Sequence, residues 1–200
     1  MAQELHHTEH NEDYGAEGKA LFGFWAYIMS DCLLFASIFA AYAVLHTSTY
    51  GGPSAKELFD MPYVLTETLI LLTSTFTYGL ISLYAHHRGG IRKVLFWLAV
   101  TFILGAAFLF MELREFAMLI SEGNGPGRSA FLSSFFALVG THGLHIMVGL
   151  MWMATVFVNV WRHGINSFTL RKISVLGLFW HFLDIIWIFI FTVVYLFGAI

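Results

Sequence analysis

The sequence predicts an all-α, polytopic integral membrane protein, a bundle of five transmembrane helices. Of its 200 residues, 58% are hydrophobic and 12% are charged, against roughly 25% charged in an average soluble domain. The charges gather in the first twenty residues and in short loops, which leaves long uncharged stretches between them. Five of those stretches reach the roughly 20 apolar residues that a helix needs to cross about 30 Å of hydrocarbon. A helix suits that solvent because it satisfies its own backbone groups, and no strand-like alternation suggests a β-barrel.

The elements follow in order. Residues 1–20 form a polar, acidic tail that lacks the basic start and short apolar core of a cleavable signal peptide. It is expected to be a disordered, cytoplasmic end, with its HHTEH run at His6 to His10 solvated rather than metal-bound. The spans then run over 21–45, 63–85, 94–113, 131–160 and 174–199. They are separated by GGP at 51–53 with Pro62, by HHRGGIRK at 86–93, by SEGNGPGRS at 121–129 and by WRHGINSFTLRK at 161–172. Gly, Pro and clustered charge mark each as a turn outside the hydrocarbon. The fourth span is longer than the bilayer requires, so it tilts or protrudes. Connections this short leave no room for a second folded domain, and residues 21–200 read as one transmembrane domain.

Composition also excludes whole classes of function. The single cysteine, Cys32, rules out an internal disulfide, a zinc finger and a paired-thiol redox motif. A net charge of -3 with no basic face gives no footing for nucleic acid. Orientation follows from Lys and Arg. The amino-terminal side would hold Lys19, Arg88, Arg92, Lys93, Arg162, Arg171 and Lys172, and the other side Lys56, Arg114 and Arg128. The amino terminus is therefore expected in the cytoplasm and the carboxy terminus in the periplasm.

Ionisable side chains inside a span are costly and are functional candidates by default. Here they are Asp31, Glu67, Glu112, His142, His145, His181 and Asp184. From the helical rise, Asp31, His142 and Asp184 fall near mid-membrane, and Glu67 and Glu112 near the outer interface. His142 and His145 share a helix face, as do His181 and Asp184, because each pair is spaced i, i+3. The fourth and fifth helices are sequential and antiparallel, hence expected neighbours. Depth pairs His142 with Asp184 and His145 with His181. Three readings of this cluster stand open: a hydrogen-bonded plug that fixes helix register, proton handling, and metal or haem ligation. Haem would need a facing ligand such as His181, since two histidines on one face cannot clamp it.

The second helix adds a polar stripe of Glu67, Ser74 and Tyr78, whose hydroxyls are expected to bond to their own backbone or to a neighbouring helix. Glu67 needs an account of its own, because desolvation disfavours a charged carboxyl. Gly105, Ala106, Ala107, Gly140 and Gly143 read as close-packing surfaces, and the six tryptophans as belt or packing residues.

Four segments carry a family resemblance: GPGRSAFLSSFFALVGTHGLHIMVGL at 125–150, FWHFLDIIWIFIFTVVYL at 179–196, FGFWAYIMSDCLLFASIFAAYAVL at 22–45 and VLTETLILLTS at 64–74. Together they resemble subunit III of the haem-copper respiratory oxidases. The five-span length is similar to the bacterial cytochrome bo-type ubiquinol oxidase branch. The resemblance implies a non-catalytic subunit without a cofactor of its own, packed against a subunit I that holds the haems and copper. The complex would oxidise ubiquinol, reduce oxygen to water and pump protons across the bacterial inner membrane. By motif, Glu67, His142, His145, His181 and Asp184 match the family's buried polar residues. Longer relatives bind phospholipid in a cleft whose first two helices this chain lacks, so a lipid site here would need a wall from another subunit. Two other classes compete with this reading: a haem-bearing membrane anchor of another respiratory complex, and a small proton-coupled transporter. The absence of an inverted repeat counts against the transporter.

Overall fold

A computed structural model of the chain describes the backbone of residues 2–51, 58, 60–86 and 90–199, with side chains from Phe22 to Gly198. The side chains of His6 to His10, and Gly52, Pro53, Arg88 and Ile200, therefore lie outside the described residues. The chain divides into two compact units, Met1–Ala36 and Ser37–Ile200.

The first helix, α1 (Ala2–Leu45), begins nineteen residues before the expected span. The stretch expected to be a disordered tail is helical. It contains no proline and holds three Ala and four Glu, residues that favour the helix. Four further helices belong to the second unit: α2 (Met61–His86), α3 (Ile91–Ser121), α4 (Ala130–His163) and α5 (Ser167–Ile190). A π-helical turn, Phe191–Leu196, and a short α6 (Phe197–Ala199) complete the chain. Among the described residues five segments are long and apolar enough to cross a membrane: Phe22–Leu45, Met61–His86, Ile91–Ser121, Ala130–His163 and Ser167–Leu196.

Two further boundaries lie well outside the expected spans, each for a local reason. α3 passes its expected end at Leu113 because Arg114 points outward and Glu115 is half-buried against Tyr195. It ends where Gly123 takes φ 80° and the N–H groups of Gly123 and Asn124 close onto the carbonyls of Ile120 and Leu119, a left-handed stop suited to glycine. α5 starts seven residues early on a capping box in which Asn166 and Thr169 satisfy each other's backbone.

In the second unit, α2 packs on α3, α3 on α4, α4 on α5, and α5 returns to α2. Leu71, Ile81, Leu98, Phe108, Ile146, Met153, Leu183 and Trp187 fill the interior. The outer surface carries Phe96, Ile103, Phe110, Leu144, Met151, Ile185 and Phe189 in exposed positions, an apolar surface of the kind that belongs against lipid.

Glycines let the helices approach closely. A Cβ on Gly105 would stand 2.8 Å from the Trp180 ring, one on Gly149 3.0 Å from the same ring, and one on Gly177 2.8 Å from Tyr78. The glycine of α3 was readable as a packing surface; Gly149 and Gly177, which complete the two slots, were not singled out.

Candidate functional site

The polar stripe of α2 is buried, and it faces α3 and α5. Trp180 Nε1 donates to Ser74 Oγ at 3.2 Å, and Ser74 donates to the carbonyl of Thr101 at 3.3 Å. The hydroxyls of Thr77 and Thr101 meet at 2.8 Å. Tyr78 donates to the carbonyl of Ile173 at 2.8 Å. These bonds tie three helices together at one level.

Further along α5 the pattern changes. Trp187 Nε1 donates to Thr68 Oγ1 at 3.1 Å, next to Glu67. The Trp187 ring then collects aromatic neighbours. His142 stacks on it with centroids 5.2 Å apart and planes 30° apart, and Phe108 meets it edge-on at 4.7 Å. Phe108 also meets His142 edge-on at 5.9 Å. Neither ring nitrogen of His142 has a hydrogen-bond partner.

Beside this aromatic set lies a carboxylate group. Glu67 and Glu112 are 0% and 1% exposed, and none of their four carboxyl oxygens has a partner. Glu67 and Glu115 both act electrostatically on Glu112. Glu115 accepts a hydrogen bond from Tyr195 at 3.2 Å, and Tyr63 donates to the carbonyl of Met111 at 3.0 Å. Gly143 leaves the space that Glu112 occupies, since a Cβ there would lie 2.7 Å from Oε1.

The expected pairing of His142 with Asp184 is not made. His142 is held by rings from α3 and α5, and the face carrying His181 and Asp184 turns toward α2. The Thr75 hydroxyl faces Asp184 without reaching hydrogen-bonding geometry, and His181 meets Tyr78 edge-on at 6.0 Å. The physical reason is size. Trp180 sits in the slot made by Gly105 and Gly149, and Trp187 stacks on His142, so bulky indoles occupy the α4-facing side of α5. His145 donates through Nδ1 to the Thr141 carbonyl of its own helix at 2.7 Å. Asp31, in the first unit, is hydrogen-bonded by Tyr27 one turn earlier on the same face.

Glu115 and Tyr195 escaped the sequence reading. The spacing i, i+3 from Glu112 was visible, but the charged pair Arg114 and Glu115 looks like a helix end. Among the described residues no group of three His, Cys, Asp or Glu is arranged to hold a metal.

Comparison with known proteins gives the following. The family model described as cytochrome c oxidase subunit III matches residues 6–199. A cytochrome bo(3) ubiquinol oxidase subunit 3 from Pseudomonas aeruginosa is 55% identical over 199 residues, covering 100% of this chain and 94% of the relative. A cytochrome c oxidase subunit 3 from Bacillus sp. (strain PS3) is 44% identical over 92% of this chain and 89% of its own. A quinol oxidase subunit 3 from Bacillus subtilis is 39% identical over 97% of this chain and 98% of its own.

Proposed function

Because the chain belongs to the cytochrome c oxidase subunit III family, we propose that it is the accessory, non-catalytic third subunit of a proton-pumping terminal ubiquinol oxidase. The observation that carries the reading is the 55% identity, along the full chain, with a ubiquinol oxidase subunit 3, a higher identity than with the cytochrome c oxidase relative from strain PS3. The haems and copper belong to subunit I, and this chain stabilises that subunit in the bacterial inner membrane. Its polar residues within the spans, Asp31, Glu67, His142, His145, His181 and Asp184, serve the bundle's structure and support proton uptake. Bound phospholipid fits the exposed apolar surface. The competing readings of a haem anchor and a transporter are not favoured by this family.

A tagged chain expressed in its native membrane tests the proposal. Subunit I and a haem spectrum are expected in the eluate, with ubiquinol-dependent oxygen consumption. The chain purified by itself is expected to be colourless. Recovery without any oxidase subunit would sink the reading. For orientation, a periplasmic reporter fused after the last residue is expected to be active, and activity of one inserted in the 86–93 loop would reverse it.

A further inference from the structure

Between α3 and α4 a groove of about 180 Å³ opens on the outer surface of the bundle, with Glu112 in its floor. Leu113 and Leu144, each 57% exposed, stand at its lip with Met147. Gly140 and Gly143 omit the side chains that would close it. Glu112 is the group that makes this groove more than a packing defect, because both of its oxygens are buried and unpartnered. A polar group left so in an apolar surrounding is costly.

The chemistry of a fitting occupant is narrow. It must arrive through hydrocarbon, so it is apolar over most of its surface. It must offer a hydroxyl, which a carboxyl oxygen accepts in either protonation state. Its head must be about the size of one six-membered ring, since a cavity of about 150 Å³ holds benzene. Phe116 supplies an aromatic wall, its ring 3.6 Å from where a Cβ of Gly140 would stand. Met147, with its flexible chain, can swing aside to admit a ring.

We propose that this groove binds the ring of a quinol, one hydroxyl of which donates to Glu112 while the apolar tail lies along Leu113 and Leu144. The inference rests on the quinol oxidase reading and adds a quinol site on the accessory subunit to it.

The test uses the intact complex in native lipid, illuminated with a short-tailed azido-ubiquinone and read by mass spectrometry. Adducts are expected within residues 109–116 and 140–147, and an excess of short-tailed ubiquinone should displace them while an alkane of equal tail length should not. Glu112→Leu, which removes the acceptor, is expected to lower this labelling at least tenfold. Leu144→Trp fills the groove from its exposed lip and leaves Glu112 in place, so it decides the matter if the first variant does not assemble. Its labelling should fall as far. Unlabelled segments, labelling unchanged in Leu144→Trp, or adducts on another subunit's helix seated in the groove would each overturn the site. Failure of the tagged chain to bring down any oxidase would instead overturn the underlying function. A complex with its haems and an unlabelled groove would overturn this inference alone.

Discussion

Around Trp180, the indole, the Ser74, Thr77 and Thr101 hydroxyls and the Tyr78 phenol all find partners across helix boundaries. Around Trp187, seven residues along the same helix, His142, Glu67 and Glu112 are as deeply buried and find none. The two layers lie about 10 Å apart at the helical rise, and they use the same kind of parts: an indole, a polar stripe on α2, and glycines that admit bulk. One layer is held by hydrogen bonds and close fit. The other is held by ring stacking and the Trp187–Thr68 bond, and leaves His142, Glu67 and Glu112 without partners. Native structures pair nearly all buried polar groups, and departures from that consistency concentrate where function is placed. The layer at Trp180 therefore reads as scaffold, and the layer at Trp187 as the part whose partners come from outside the bundle.

The largest effects are expected in the scaffold layer. Trp180→Ala empties the slot between Gly105 and Gly149 and removes the indole donor to Ser74, so thermal unfolding in detergent should report a loss of about 3 to 5 kcal/mol, the usual range for truncating a buried aromatic. A loss under about 1 kcal/mol would erase the distinction between the layers. Gly177→Ala comes next, because its new methyl meets the Tyr78 ring at 2.8 Å, and overpacking of that kind costs about 1 to 3 kcal/mol. Tyr78→Phe keeps the ring and removes one hydrogen bond to Ile173, for an expected loss of about 1 kcal/mol. Equal melting of wild type and Tyr78→Phe would show that the interhelical bonds contribute little to the scaffold.

Much of the bundle was legible because its information is local. Span number follows from runs of apolar residues, and the turns from Gly, Pro and charge. The burial of Glu67, Ser74 and Tyr78 along one stripe follows from helical periodicity. Partner choice between helices is a different kind of information. Depth correctly brought Glu67 and Glu112 to a common level but joined His142 to Asp184, because depth does not say which face of α5 meets which neighbour. That is decided by where indoles fit, and the fit depends on Gly149 and Gly177, whose roles appear only once the rings they admit are in position. Glu115 was hidden by its neighbour Arg114, which points outward from the same turn and resembles a helix end. The π-helical turn that carries Tyr195 has no sequence marker comparable to a proline or a cap.

The smallest expected effect separates the layers most sharply. Glu67 and Tyr78 lie on the same face of α2, eleven residues apart, and both are fully buried. Glu67→Gln preserves size and shape, and it breaks no hydrogen bond within the bundle, since neither carboxyl oxygen has a partner there. Its cost in the isolated subunit should therefore fall below that of Tyr78→Phe, under about 1 kcal/mol, because the net contribution of a hydrogen bond is absent from the starting state. In the assembled complex the order can reverse, and that reversal is informative. If a neighbouring subunit, a water or a membrane ligand reaches this layer, the variant should lose stability in the complex but not in the isolated chain, by the amount that partner contributes. Measuring both variants in both states gives a double comparison in which Tyr78→Phe, confined to the scaffold, serves as the control. A Glu67→Gln loss larger than that of Tyr78→Phe in the isolated chain would mean that the carboxyl is already bonded within the bundle, and the contrast between the two layers would fail.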